Sequence, residues 1–280
     1  MRAGAHLLLM AANPINRGIL RAVLERPLML EEGRLYKVSD GGREMLFVSF
    51  AIERWLSSAP DGPIEFECDA AEKAVEALAE GWSATVMHVL AREPLSLDRL
   101  HDAVDDLSRR KVKRHLVAMT AAGQVEARTR ADGETVYAVT DWLRTGLAPL
   151  VVSARLERRN PMDGMTPIDA LDVEAAFMLT MPLLELPREL SGSCRFGVNL
   201  ADDGSAELTG VTVRVERGRV VSCTAGLDDE ADAWGTATAS DWLDTVIEPD
   251  AKRVRTGGDR WLASALLSAL HSKLFGIPVA

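Results

Sequence analysis

The stretch "DDLSRRKVKRHLVAMTAAG", residues 105–123, sets Arg109, Arg110, Lys111, Lys113 and Arg114 within six residues of a chain whose formal net charge is -10. Ser108 is placed to cap a helix, because its hydroxyl can accept from the free N–H groups of a first turn, and Gly123 is placed to end it. At about 100° per residue, Val112, Leu116 and Met119 fall on one stripe and Arg110, Lys113, Arg114 and Val117 fall opposite. The stripe is built to pack and the cations face out. Arg109, Arg110 and Lys111 would occupy the first turn, where the helix dipole disfavours positive charge by about 0.3–1 kcal/mol each at low salt. A phosphate-bearing partner would account for residues that weaken their own helix. A solvated basic face is the alternative.

Working outward, "LSLDRLHDAV" (95–104) carries Leu97, Leu100 and Val104 at helical spacing. Downstream, "QVEARTRADGETVYAVT" (124–140) alternates apolar and polar residues about Asp132-Gly133, a strong hairpin signal. Arg128 and Arg130 fall on one side of its first strand, near the tip. Helix, turn, helix, hairpin is the order of a winged helix, in which the second helix enters the major groove and its cations meet phosphates or guanine edges.

The chain also repeats itself. "GRLYKVSDGGREML" (33–46) and "GETVYAVTDWLRTGL" (133–147) match at Tyr36 and Tyr137, Val38 and Val139, Ser39 and Thr140, Asp40 and Asp141, Arg43 and Arg144, Leu46 and Leu147. Upstream, "ILRAVLERPLML" (19–30) parallels "VMHVLAREPLSL" (86–97), and downstream each copy runs into an apolar helix, over 43–56 and 141–159. Between the matched pieces the first copy lacks nearly all of what the second carries, including the basic helix. In "NPINRGILRAVLERPL" (13–28) and "YKVSDGGREMLFVSFAIERWL" (36–56) the chain resembles the winged helix-turn-helix regulators of the HxlR and MarR type, over roughly residues 10–158. The resemblance implies double-stranded DNA as partner, met by Ser108, Arg109, Arg110, Lys111, Lys113 and Arg114 on the helix and Arg128 and Arg130 on the wing. Such regulators present two recognition helices to two half-sites. With one copy truncated, the chain is either a monomer with an internal pseudo-dimer or a homodimer that restores the pair.

Past residue 160 the texture changes. "RRNPMDGMTP" (158–167) reads as a linker. A helical patch over 171–190 leads into strands "CRFGVNL" (194–200) and "AELTGVTVRVERGRVVSC" (206–223), with turns at Asp202-Asp203-Gly204 and Arg217-Gly218 and with Val211, Val213, Val215 and Val220 alternating. A strand "WGTATAS" (234–240), a helix from Asp241 and a Leu-rich helix ending "LFG" follow, which predicts meandering strands with helices on one face. Residues 185–276 resemble the sterol-carrier-protein (SCP2) fold. That resemblance implies an apolar tunnel for a hydrophobic or lipid-like small molecule, lined here by Phe177, Met178, Met181, Leu183, Leu184, Phe196, Trp242, Trp261, Leu266, Leu270 and Phe275. Each of these would equally suit an ordinary core.

Composition bounds the rest. The hydrophobic fraction of 47% and charged fraction of 26% are those of a globular chain. No apolar run approaches the ~20 residues of a membrane span, and "LLLMAA" near the N-terminus is short for a signal peptide. Cys68, Cys194 and Cys223 lack any C-x-x-C spacing, which fits reduced thiols and a cytoplasmic location. Through residue 160 there are 22 Lys+Arg against 23 Asp+Glu, net -1, and beyond it 10 against 19, net -9, so any nucleic acid belongs to the N-terminal half. His6, His88, His101, His115 and His271 are isolated, "DDEAD" (228–232) reads as a charged loop, and no nucleophile, metal or phosphate motif stands out. No catalytic residue, metal or cofactor is expected. The expectation is therefore an α+β chain of tandem winged-helix modules followed by an SCP2-like domain of a β-sheet covered by helices: a degenerate module over 1–65, an intact one over 66–160 and a ligand-binding domain over 161–280. Functionally it reads as a non-enzymatic transcriptional regulator whose last domain senses a hydrophobic small molecule. The alternative is a ligand-sequestering or carrier protein on a scaffold that no longer binds DNA.

Overall fold

The structure, a computed structural model, describes residues 29–32, 35–38, 40–66, 68–81, 84–104, 107–159, 170–199, 208–249 and 253–276. Of the expected linker, Arg158 and Arg159 belong to a helix and the rest lies outside the described residues, as does the turn at 202–204; of the helix expected over 19–30 only Met29 and Leu30 are described, and they form a strand.

Strands β1 (Met29–Glu32) and β2 (Leu35–Val38) pair antiparallel, Met29 opposite Val38, and lead into helix α1 (Asp40–Ser57). Helices α2 (Asp69–Gly81) and α3 (Ala84–Leu90) follow, then strand β3 (Leu95–Ser96), helix α4 (Leu97–Asp102) and helix α5 (Arg109–Ala121). Strands β4 (Val125–Thr129) and β5 (Thr135–Val139) form the expected hairpin, and β3 adds to β5 to give a three-stranded antiparallel sheet in the order β3-β5-β4. The segment matching α1 is split into α6 (Asp141–Thr145) and α7 (Leu147–Arg159). Hairpin-then-helix therefore recurs in both copies of the repeat.

The split at Gly146 has a steric reason. A Cβ there would lie 2.9 Å from the Leu143 carbonyl and 3.2 Å from the Trp55 indole nitrogen, and Pro149 brings no N–H to the new first turn. The absent side chain admits Trp55. Trp55 and Trp142 stack with centroids 4.6 Å apart, and each indole N–H donates to the other's carbonyl oxygen, 2.9 Å in both directions. At the opposite end of the helix pair, Glu44 near the start of α1 meets Arg155, 3.4 Å away, and Arg159 near the end of α7. Helices α1 and α7 thus pack antiparallel, their buried Val48, Ile52, Val151 and Val152 removed from water.

Helix α8 (Ala170–Thr180) passes through a 3₁₀ turn, Met181–Leu183, into a five-stranded sheet. Its strands are β6 (Gly192–Asn199), β7 (Leu208–Glu216), β8 (Arg219–Ala225) and β9 (Ala233–Thr238), then, after helix α9 (Ala239–Ile247), β10 (Arg255–Gly258), with helix α10 (Arg260–Phe275) last. The three helices of this region pack against the sheet, with Phe196, Val198, Val211, Val213 and Val215 buried in it. Arg217 and Gly218, at φ 51° and 77°, make the tight β7–β8 turn in which both central residues are left-handed.

Two expectations need correction. The strands do not simply meander: the order is β10-β9-β6-β7-β8, and β9 returns to pair in parallel with β6. The acidic loop makes that crossover, because Asp232 accepts from the Ser193 backbone N–H at 2.8 Å and its hydroxyl at 3.0 Å, pinning the loop to the start of β6. These two donors hold the Asp232 carboxyl below its ordinary range. The helix expected from Asp241 starts at Ala239, since the Thr238 hydroxyl, not a later group, caps it by accepting from the Asp241 N–H at 3.1 Å.

Candidate functional site

Helix α5 is seated as its pattern dictates. Val112, Leu116 and Met119 are buried, and α5 packs on α2 and α4. Ser108 caps it by accepting from the Lys111 N–H at 3.4 Å, and just beyond its other end the Gln124 side chain donates to the Ala74 carbonyl at 2.6 Å. Gly123, at φ 74°, turns the chain toward β4. Arg110, Lys111, Lys113 and Arg114 are exposed, and Val117, 55% exposed, sits among them.

The seven cations expected to meet DNA separate into two electrostatic groups. Arg110, Lys111, Lys113 and Arg114 have no carboxylate partner among the described residues. The other three cations are engaged within the chain. Asp98 accepts from Arg109 Nε at 2.9 Å and Nη2 at 2.6 Å, and Glu126 accepts from Arg128 at 2.7 Å. Arg130 donates to the Pro94 carbonyl at 3.2 Å and lies 3.6 Å from Glu134. The hydrogen bond between Glu126 and Arg128 holds the carboxyl below its ordinary range and the guanidinium above its own. The sequence pattern places all these cations on one module without revealing that pairing, because each partner arrives from a turn, a neighbouring strand position or a different helix.

In the C-terminal region, Phe177, Met178, Met181, Leu184, Phe196, Trp242, Leu266, Leu270 and Phe275 are all buried, and Leu183 is half-buried. Phe177, Phe196 and Trp242 form a three-ring cluster with centroids 5.1–5.4 Å apart, and the Trp242 indole donates to the Gly197 carbonyl at 2.8 Å. Phe275 is directed elsewhere: it stacks on Phe47 of α1 at 5.6 Å, with the His271 ring 5.4 Å away. Trp261 does not join the interior. It is 57% exposed in the first turn of α10, where Asp259 caps the helix and Leu262 and Leu266 take the inward positions.

The remaining chemistry-bearing groups are structural in placement. Burial pushes the Cys194 and Cys223 thiols up to about 12, which keeps them protonated and unreactive near neutral pH. His271 is buried with Nδ1 3.2 Å from the Val246 carbonyl. Among the described residues, no group of three His, Cys, Asp or Glu is arranged to hold a metal ion, and no helix is long and apolar enough to cross a membrane.

Sequence reasoning missed the contacts between the two halves. Arg144 Nη1 donates to the Leu179 carbonyl at 2.6 Å and lies 3.4 Å from that of Met178, at the carboxyl end of α8. His88 Nε2 of α3 lies 3.5 Å from Glu174 of α8. The match of Arg144 with exposed Arg43 was the one available signal, and it did not separate a buried role from a surface one. Compared with known protein families, curated proteins and solved structures, the chain matches none.

Proposed function

We propose that the chain is a DNA-binding transcriptional regulator whose residues 66–160 form a winged helix-turn-helix and whose C-terminal, SCP2-like domain senses a hydrophobic small molecule. One observation carries this reading: α5 is anchored by its apolar stripe while Arg110, Lys111, Lys113 and Arg114 project to solvent without a carboxylate partner among the described residues. Cations so placed on one exposed helix face suit phosphate neutralisation, and Val117 among them suits contact with a thymine methyl. Strand, two helices and hairpin in this order support the winged-helix assignment, and helices packed on a five-stranded sheet support the sterol-carrier resemblance. The antiparallel pairing of α1 with α7 supports an internal pseudo-dimer of the two repeat copies.

A specific observation favours a second reading. Both wing arginines and Arg109 are already paired with Glu126, Glu134 and Asp98, which reduces the charge offered to phosphate. In that reading the scaffold has left DNA behind and the chain sequesters or carries a hydrophobic molecule in the cytoplasm. Neither reading requires a catalytic group. Fluorescence anisotropy of the purified chain on the DNA upstream of its own coding sequence, against a scrambled duplex and across a salt series, separates them. Specific, salt-sensitive binding supports the regulator; its absence at low salt refutes the regulator and leaves the carrier.

A further inference from the structure

We propose that α8 transmits changes in the C-terminal interior to the helices that seat α5. The proposal rests on the regulator reading only for what such transmission serves; the mechanical link stands on the geometry. In α8, Val173, Glu174, Ala175, Phe177, Met178, Leu179 and Thr180 are all buried, so from its second turn onward only Ala176 keeps partial exposure. A helix buried on nearly every side lies between two bodies. One is the five-stranded sheet, met through β6, β7 and β8, and the other is α3 of the preceding module.

Two polar grips fix α8 to both bodies. Glu174 accepts from the Thr209 hydroxyl on β7, is hydrogen-bonded by the backbone of Gly210, and faces His88 of α3 at 3.5 Å. Burial raises this carboxyl, yet these partners together hold it below its ordinary range. A buried carboxylate shared among three elements resists their separation, because moving any of them leaves the charge short of donors. At the carboxyl end, the Arg144 guanidinium occupies the place where helix carbonyls lack internal partners and carry partial negative charge. Its burial pulls its pKa below the ordinary arginine range, an effect that Asp141, 3.9 Å away, partly offsets.

The gripped helix is also the one that reaches into the aromatic cluster. Phe177 contacts both Phe196 and Trp242, and the carbonyl of the adjacent Met178 is one that Arg144 approaches. On the other side, α3 packs on α4, and α4 packs on α5. Side chains displaced in the cluster therefore move a helix whose side and end are held by the module bearing the basic face. Close-packed interiors pass such displacements on as steps between discrete arrangements.

The test is amide hydrogen exchange by mass spectrometry on the full chain. Phe196→Leu, on β6 of the C-terminal sheet, opens space against Phe177; Val198→Ala on the same strand is a milder second perturbation. The expected result is exchange about tenfold faster both in residues 170–180 and in residues 84–90, the latter response falling below about twofold in a His88→Ala/Arg144→Gln background. Faster exchange confined to the C-terminal region, or an undiminished response at 84–90 without the two grips, would overturn the link. DNA anisotropy on the same samples keeps the questions apart: loss of the regulator reading shows as no specific binding in any variant, whatever the exchange pattern.

Discussion

Charge substitution on the second module tests whether in-chain pairing decides which cations are free to meet DNA. Arg110, Lys111, Lys113 and Arg114 have no carboxylate partner among the described residues, whereas Arg109, Arg128 and Arg130 have carboxylates at 2.6, 2.7 and 3.6 Å. If only the first four neutralise phosphates, the logarithmic salt slope is about -3.6, and affinity falls about 150-fold between 50 and 200 mM salt. Arg110→Gln with Arg114→Gln should bring the slope to about -1.8 and the loss over that range to about 12-fold. Arg128→Gln removes a charge that Glu126 already balances, so the slope should move by less than about 0.5. Fluorescence anisotropy on one duplex at four or five salt concentrations reads all three. An Arg128→Gln slope reduced by about 0.9, half the change expected of the double variant, would mean that the Glu126 pair opens on binding, and the reasoning from pairing would fail.

Glu157 is half-buried without a partner among the described residues, and burial raises its carboxyl from 4.5 to about 7. The folded chain then keeps a proton that the unfolded chain releases, so stability falls as pH rises between those values; Glu157→Gln should stabilise by about 1–2 kcal/mol at pH 8 after solvent screening, and by little at pH 4. Urea denaturation at the two pH values would expose an equal effect at both, which would contradict this. Trp55→Phe removes the 2.9 Å indole donor from the Trp142 carbonyl, which keeps the Thr145 hydroxyl and the Gly146 N–H at 3.0 Å each, so the lost bond should cost about 0.5–1.5 kcal/mol by the same measurement, an unchanged midpoint counting against the reciprocal bonds. Arg217→Asn, at φ 51° beside Gly218, should stabilise by roughly 0.5–1 kcal/mol because asparagine tolerates the left-handed region, and a destabilised variant would speak against that turn geometry.

Local patterns carried much of the architecture. The stripe of Val112, Leu116 and Met119, the Ser108 cap and the Asp132-Gly133 hairpin are all settled within a dozen residues of chain, and each is found as its sequence suggests. What was not legible depends on partners distant in sequence. The return of β9 beside β6 is set by Asp232 reaching Ser193, and the break at Gly146 by Trp55 arriving from another helix. Apolarity alone could not tell inward from outward at Trp261, because the Asp259 cap fixes where the first turn of α10 begins and so which face each residue takes.

The two copies of the repeat have come to use matched positions differently. Arg43 is exposed on α1, while its counterpart Arg144 is driven into the carboxyl end of α8. Leu46, 43% exposed, answers to buried Leu147, and the unbroken α1 answers to a helix interrupted at Gly146. Of these differences the one at Arg144 turns toward the C-terminal region, and the basic helix lies on the module so attached. Under the regulator reading, the contacts of α3 and Arg144 with α8 are a physical route for coupling the two regions, which a simple carrier would not use. The carrier reading therefore needs the grips at His88 and Arg144 to be purely structural. His88→Ala/Arg144→Gln decides that: a change in how the C-terminal perturbations reach residues 84–90 assigns the grips to coupling, and equal loss of stability in both halves with no change in their communication assigns them to structure alone.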